Sequence, residues 1–339
     1  MNLLPDNFII DGCIFAEGEF EGCSKDIFKS GLNSFFLTVP YSSLGFRAAV
    51  RSIAKVYDLT DEGLQNLKIA KGYNDLIKSR KDNKISIIFA FQDPAPIENS
   101  LELLRVFYEL GVRVIQLTYN KANYLGTGAI ETIDRGLTDF GKKAILEMNR
   151  LGIIIDLSHC SLKTAIDAMT ISQMPVIYSH ANVKAITDNP RNKTDEELKM
   201  LKDLDGVIGL SPWGPLCWKK EKRTQPVLED YLDHIDYVVN LIGIDHVGFG
   251  SDNTIDYNPD IKGTAEQSLL YPSVVEEYNK YVGTNPEVRH AIGFKGVQEI
   301  NNVIDGLLKR GYKEEDVSKF LGENFLRIIK QVWKQGEIK

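Results

Sequence analysis

Histidine and cysteine are both scarce in this chain, 5 and 4 among 339 residues. The cysteines, Cys13, Cys23, Cys160 and Cys217, form no C-x-x-C pair and no zinc-knuckle spacing. That excludes a disulfide framework or a structural zinc module and fits a reducing compartment. No apolar run approaches the about 18 residues of a membrane span. The opening segment MNLLPDNFIIDG has neither a basic stretch nor an export-length apolar stretch, so the expected location is cytoplasmic, without a membrane partner. Basic charge is also short: 40 Lys and Arg face 47 Asp and Glu, for a net charge of -7, which argues against a nucleic-acid footprint. The cluster Lys219, Lys220, Lys222 and Arg223 is interrupted by Glu221 and reads as a solvated loop. No Pro-rich or Ser/Gly-rich linker divides the chain, and a single domain over residues 1–339 is expected.

What the chain does contain is a full core, with 43% hydrophobic residues, arranged in about eight apolar, β-rich runs. They are Phe8 to Asp11, Ser34 to Val39, Ile85 to Phe91, Val112 to Thr118, Gly152 to Leu157, Pro175 to Tyr178, Val207 to Leu210 and His246 to Gly250. Most lack the period-two alternation of a half-solvated sheet, as parallel strands buried on both faces should. Helical patterns lie between them. Ser100 to Leu110 and Thr138 to Leu151 each carry an apolar stripe and stop at a glycine, Gly111 and Gly152; Asp195 to Leu204 and Val227 to Ile242 fill later crossovers. The fold class predicted is α/β, a (β/α)8 TIM barrel, with C-terminal helices at Gly296 to Arg310 and Glu314 to Lys334. Residues 253–293, rich in Tyr, Pro, Asn and Glu, follow the last strand as a loop elaboration over or beside the active face.

In such a barrel the site lies at the carboxyl ends of the strands. Polar residues there are Asp11 and Cys13, Gln92 and Asp93, Tyr119 and Asn120, His159, His180, Ser211 and Asp252. His159 in Asp156-Leu157-Ser158-His159 and His180 in Ile177-Tyr178-Ser179-His180 carry the most weight. One histidine in such a place is ordinarily a satisfied hydrogen-bonding group; two at equivalent ends of adjacent strands point to a shared metal ion. Asp252 has two readings, an Asx turn in its loop or a carboxylate that ligates metal or shuttles a proton. Arg191 is a solvated loop arginine or a bidentate clamp for a substrate carboxylate. His234, inside an amphipathic helix, and His246, at the start of a strand, read as packing or surface residues.

Several motifs together resemble the membrane (renal) dipeptidase family of zinc metallopeptidases. They are Gly136-Leu137-Thr138-Asp139-Phe140-Gly141, Glu147-Met148-Asn149-Arg150-Leu151-Gly152, Asp156-Leu157-Ser158-His159, Ser179-His180, Pro190-Arg191-Asn192, Gly248-Phe249-Gly250-Ser251-Asp252 and Gly322-Glu323-Asn324-Phe325-Leu326-Arg327. The resemblance implies an amidohydrolase-type barrel, a homodimer, and two zinc ions that share a bridging glutamate. It further implies His159 and His180 as ligands of one zinc, Asp252 as catalytic acid and base, and Arg191 as the substrate-binding arginine. The family's first strand ends Asp-x-His-x-Asp, where this chain has Asp11-Gly12-Cys13-Ile14-Phe15; the bridging glutamate appears as Gln92, and a histidine that contacts the tetrahedral intermediate appears as Tyr119.

Phe15 cannot ligate, and Gln92 offers a neutral oxygen where two cations need an anion between them. At most one zinc is therefore expected, held by His159, His180, Gln92 and water, with Tyr119 as a hydroxyl donor to an oxyanion. Cys13 is read as a small buried residue. Two functional readings stay open: a dipeptidase-like metallohydrolase acting on a dipeptide or small amide with a free carboxylate, and an inactive or repurposed barrel that binds an amino-acid derivative.

Overall fold

Among the described residues, nine of the ten strands follow one another around a single curled sheet. The computed structural model describes residues 7–16, 23, 25–40, 44–61, 66–254 and 265–333. Its strands are β1 (Ile10–Phe15), β2 (Ser34–Thr38), β3 (Leu67–Ile69), β4 (Ile85–Phe91), β5 (Val112–Gln116), β6 (Ile154–Asp156), β7 (Ile177–Ala181), β8 (Val207–Leu210), β9 (Val247–Phe249) and β10 (Asn253–Thr254). They hydrogen-bond in the order β10-β1-β2-β4-β5-β6-β7-β8-β9, with β3 paired to β4 outside this path. These strand pairings are all parallel. The two ends of the path, β9 and β10, are separated by only Gly250 to Asp252 in sequence. The eighth barrel strand thus continues through that link into β10, which lies beside β1, and the sheet closes as a (β/α)8 barrel.

Side chains that point into the barrel form one core: Ile10, Phe36, Ile88, Val114, Ile154, Ile177 and Val207 pack with Phe325, Ile328 and Val332 of the helix Asn324–Val332. Ile10, Ile154, Ile177 and Val207 stand at or near the starts of their strands, so this last helix plugs the amino-terminal end. The opposite end is left for chemistry. Outward-facing residues such as Phe35, Leu37, Ile87, Phe89 and Ile155 pack against the crossover helices in a second, larger cluster. Near the middle, Gly12, Gly209 and Gly250 ring the carbonyl of Ser179; a Cβ on them would come within 2.5, 2.2 and 1.9 Å of that oxygen. No side chain fits there, and the close approach lets β7 lie deep in the barrel.

Several boundaries differ from the sequence expectations. The first strand runs from Ile10 to Phe15 rather than from Phe8 to Asp11, because a register shift between Asp11 and Ile14 lets the chain stay paired with β2 past Gly12. Cys13 and Phe15 are therefore strand residues. The strand expected at Pro175 to Tyr178 is Ile177–Ala181: proline has no N–H to donate, and the polar Ser179 and His180 continue the strand. The Glu314 to Lys334 helix is broken by a π turn at Lys319–Glu323, and Lys334 lies outside the described residues. Helices Phe46–Asp61 and Leu162–Ile171 were not foreseen. The basic cluster is not simply solvated: Lys219 and Lys222 pair with Asp230 at 3.2 and 2.6 Å, and Lys220 with Glu277 at 2.7 Å.

Of residues 253–293, 255–264 lie outside the described residues. The described remainder includes the helix Pro272–Val282, whose Val274 and Val275 pack on Trp213 and Leu216. Its Val274 carbonyl accepts from Asn189 Nδ2 at 2.9 Å, next to Arg191. All four cysteines are buried, and no described helix is long and apolar enough to cross a membrane.

Candidate active site

Two short sequences with the same ending, Ser-His, build the floor of the site. Asp156 closes β6, and its carboxylate gathers both. Oδ1 accepts from the N–H and hydroxyl of Ser158 at 2.9 and 2.6 Å and from the N–H of Ser179 at 3.0 Å; Oδ2 accepts from the hydroxyl of Ser179 at 2.6 Å. Ser158 Oγ in turn accepts from His180 N–H at 3.1 Å. One buried carboxylate thus ties together the adjacent strands that present the two histidines.

This network decides how each imidazole is protonated. Ser179 has given its only proton to Asp156, so at its 2.8 Å contact with His180 Nδ1 the ring nitrogen is the donor. His159 Nδ1 meets the side-chain oxygen Oδ1 of Asn120 at 2.7 Å and is likewise a donor. Each ring is then left with a lone pair on Nε2, and those two atoms face each other 2.9 Å apart. Two converging lone pairs repel unless a proton or a cation lies between them. Burial, followed by the positive charge of Arg191, holds both histidines well below the ordinary imidazole pKa, so the proton is disfavoured. The donor set fits a metal cation: paired neutral imidazoles, each oriented through its other nitrogen, are how histidine binds zinc.

Arg191 is buried. Its Nε donates to the Ser158 carbonyl at 3.2 Å and Nη2 to the His180 carbonyl at 3.1 Å. No hydrogen bond from Nη1 is found among the described residues. Tyr119 stacks on the His159 ring, with centroids 4.4 Å apart, and meets Tyr271 edge-on at 5.7 Å. The segment after the last strand therefore reaches the histidine pocket through Tyr271.

The other side of the site is built from β1 and the link after β9. Asp11 Oδ1 accepts from Cys13 N–H at 3.0 Å and Ser251 N–H at 2.8 Å, while its Oδ2 is buried without a hydrogen-bond partner; burial raises this carboxyl to about 7. Cys13 Sγ lies 3.8 Å from Asp252 Oδ1. Burial and the nearby carboxylates push its thiol well above the usual range. Asp252 stands partly exposed at the rim; desolvation of its carboxyl raises its pKa, against Arg289 and Arg191, which lower it. Gln92, expected as a third metal donor through its oxygen, directs its amide nitrogen at Cys13 Sγ, 2.9 Å, and Thr38 Oγ1, 2.8 Å. Cys13, His180 and Asp252 each bring one ligand atom within 4.8 Å of the other two.

Two non-glycine residues here hold left-handed backbone, Asn120 at φ 61° and Asp252 at φ 53°. Such conformations cost of order 1 kcal/mol or more and collect at functional sites. His159, His180, Arg191, Tyr119 and Asp252 thus converge as the sequence suggested, but sequence reasoning gave no role to Asp156, Ser158, Ser179 or Arg289. The repeated Ser-His dipeptide was the available signal for the serines. Arg289 had none. It lies in an irregular segment, yet its guanidinium is 5.1 Å from the Phe15 ring centroid and its Nη2 donates to the Asp252 carbonyl at 3.1 Å. Two of the other three histidines are structural: His234 accepts from Val183 N–H at 3.2 Å, and His246 Nδ1 is 2.9 Å from the Gly206 carbonyl; the third, His290, is buried with Nε2 3.3 Å from the Ser251 carbonyl, next to Asp252.

Comparison with known proteins agrees with this geometry. The family model for membrane dipeptidase (peptidase family M19) matches residues 27–293 and 281–337. Dipeptidase tcpJ of Claviceps purpurea is 30% identical over 306 residues, which are 89% of this chain and 63% of that protein; this chain thus spans less than two thirds of that relative's length. Among solved structures, an amidohydrolase from Pseudomonas aeruginosa superposes with a TM-score of 0.83 at 32% identity, covering 97% of this chain and 98% of the other. A metallopeptidase from Rhodobacter sphaeroides, liganded with a phosphinate mimic of the dipeptide L-Ala-D-Ala, shares the fold at a TM-score of 0.78 and 19% identity, covering 97% and 100%. The family match spans most of the barrel, both histidine segments and the closing helix, and the chain belongs to the membrane dipeptidase family, peptidase family M19.

Proposed function

We propose that this chain is a dipeptidase-type hydrolase that cleaves a dipeptide or related small amide bearing a free carboxylate, with at most one zinc ion. The observation that carries this reading is the pair of buried histidines whose Nε2 atoms converge to 2.9 Å, an arrangement suited to sharing a cation, at the carboxyl-terminal mouth of a barrel. The dipeptidase activity named for the Claviceps relative supports the substrate class. A zinc ion, when bound, supplies a Lewis acid that polarises the amide carbonyl and brings the pKa of a water toward about 7.

The chain's own residues do the rest. Asp252, at the rim and with its pKa raised by desolvation, takes the proton of the attacking water and returns it to the leaving amine; a raised carboxyl pKa makes it a better base for the first half of that task and leaves it able to give the proton back in the second. Arg191, anchored through Nε and Nη2, keeps Nη1 for the substrate carboxylate, and its charge is fixed at any working pH. Tyr119, held against His159 by stacking, offers a hydroxyl to the oxyanion. His159 and His180 are oriented by Asn120 and by Ser179 with Asp156, so little reorganisation accompanies binding.

The test is metal content and dipeptide hydrolysis measured on one purified sample, beside His159→Ala. Metal in the native protein, with loss of both metal and turnover in the variant, is expected. Metal-free protein that stays inert after zinc addition would move the assignment to a barrel that binds an amino-acid derivative without hydrolysing it.

A further inference from the structure

We infer that Cys13 is a metal ligand, and that with His180 and Asp252 it makes a thiolate, imidazole and carboxylate centre selective for a thiophilic divalent cation. The inference rests on reading this pocket as a metal site and adds to that reading a sulfur donor. Three separate parts of the barrel supply the ligand atoms: β1, β7 and the link between β9 and β10. All three atoms lie within 4.8 Å of one another, and Cys13 Sγ is 3.8 Å from Asp252 Oδ1. Donors around a tetrahedral zinc with a Zn–S bond of about 2.3 Å and Zn–N or Zn–O bonds of about 2.0 to 2.2 Å are roughly 3.3 to 3.7 Å apart. Small side-chain adjustments close the difference, and Asp252, ligating through Oδ1 alone, keeps Oδ2 for the proton.

The surroundings are arranged for sulfur. Gln92 aims an amide N–H at Sγ from 2.9 Å while its other N–H goes to Thr38; a donor at that point favours a thiolate, and hydrogen bonds of this kind tune metal-bound sulfur. A glutamate there would present only acceptors to the sulfur. Cys13 and Gln92 thus form a matched pair in which each residue makes sense of the other. Asp11 fixes their geometry, since its Oδ1 holds both the Cys13 N–H and the Ser251 N–H and so ties the strand that bears Cys13 to the link that bears Asp252. His180 is the shared member: its Nδ1 is committed to Ser179, leaving Nε2, which also faces His159 Nε2 at 2.9 Å. His159 Nε2 stands beside this group through its 2.9 Å contact with His180, and the fourth position is left for water. Phe15, two residues beyond Cys13 and covered by the guanidinium of Arg289, offers no ligand atom, so the set serves one ion. A sulfur in that set shifts preference toward zinc, cobalt and cadmium and away from magnesium, calcium and manganese.

Titration of metal-stripped full-length protein with cobalt(II) tests the sulfur directly, without assaying turnover. One equivalent should bind with a near-ultraviolet thiolate-to-cobalt charge-transfer band. That band should vanish in Cys13→Ser and persist in Cys160→Ser, and X-ray absorption of the zinc form should show one sulfur at about 2.3 Å. One equivalent of cobalt bound without a charge-transfer band, with the same spectrum in Cys13→Ser, overturns the sulfur ligand and leaves the hydrolase reading standing. No cobalt or zinc uptake overturns both. Where Cys13→Ser fails to fold by circular dichroism, the X-ray absorption of the native protein decides: a first shell of nitrogen and oxygen alone overturns the inference.

Discussion

The two sides of this pocket were built by different means. On the β6 and β7 side, one carboxylate, Asp156, accepts four hydrogen bonds from two serines and fixes the strands that carry both histidines. On the β1 side, Asp11 accepts two N–H bonds through one oxygen while the other has no partner, and the Phe15 ring lies under the guanidinium of Arg289. The first side is saturated with hydrogen bonds and settles the protonation of its ligands; the second leaves a buried polar atom unpaired and substitutes packing for coordination. Saturated networks resist change, whereas a half-satisfied one is where a site can be remodelled.

If the sides divide the labour as proposed, Asp252→Asn gives the largest effect. Asparagine tolerates the left-handed backbone at this position better than other residues, so circular dichroism and melting temperature should stay near native. The kcat for a dipeptide should fall by about 10² to 10⁴. Retention of full kcat would remove the proton shuttle from this carboxylate. Next in size is Asp156→Ala. Loss of the acceptor leaves buried N–H and O–H groups of Ser158 and Ser179 unpaired, at about 1 to 3 kcal/mol for each unsatisfied group, and lets His180 turn. Zinc affinity measured by competition with a chelator should drop about 10- to 100-fold, with a clear fall in thermal stability. A matching loss from Asp11→Asn, which keeps the Oδ1 acceptor, would contradict the contrast between the two sides.

The barrel, most of its strands and the two histidines were legible from sequence because they rest on local pattern: apolar runs, glycine stops, and polar residues just after strands. Boundaries were missed where pairing with a neighbour decided them, as in the extension of β1 through Cys13 and Phe15. The pairing of Ser158 and Ser179 on Asp156 was illegible for a related reason, since two motifs about twenty residues apart meet only once β6 and β7 lie side by side. Arg289 was further out of reach: its partners Phe15 and Asp252 are distant in sequence, and nothing in its own neighbours marks it. The same holds for Cys13, whose meaning depends on Gln92, Asp252 and His180 converging on it.

A smaller effect, in pH, tests how the histidine side is anchored. His234 lies on the helix Leu228–Ile242 and accepts the Val183 N–H, at the start of the loop that carries Arg191. Burial lowers its pKa to about 3. The folded state therefore holds this ring neutral while the unfolded chain protonates it near 6.5. Below pH 6.5 the unfolded state binds more protons, so this contribution is complete above that pH and is lost as pH falls toward 3. Its slope is at most about 1.4 kcal/mol per pH unit. Denaturant unfolding followed between pH 7 and 4 should show a shallower acid dependence in His234→Gln, and equal slopes would assign the acid sensitivity to other groups.

The smallest effect is expected where a carboxylate is restored to the β1 side. Phe15 is buried beneath Arg289, whose Nη2 is bound to the Asp252 carbonyl and whose Nε is buried without a partner. In Phe15→Asp the new carboxylate would meet that guanidinium first, and a fixed bidentate arginine pair holds both oxygens that a second cation would need. Metal content by elemental analysis should therefore stay unchanged, while some stability is lost with the ring. Only when Arg289→Met is added, removing the competing cation, does the carboxylate become free to ligate. A rise in metal content in Phe15→Asp alone would show that the missing side chain limits the site; a rise confined to the double variant would show that Arg289 also blocks it.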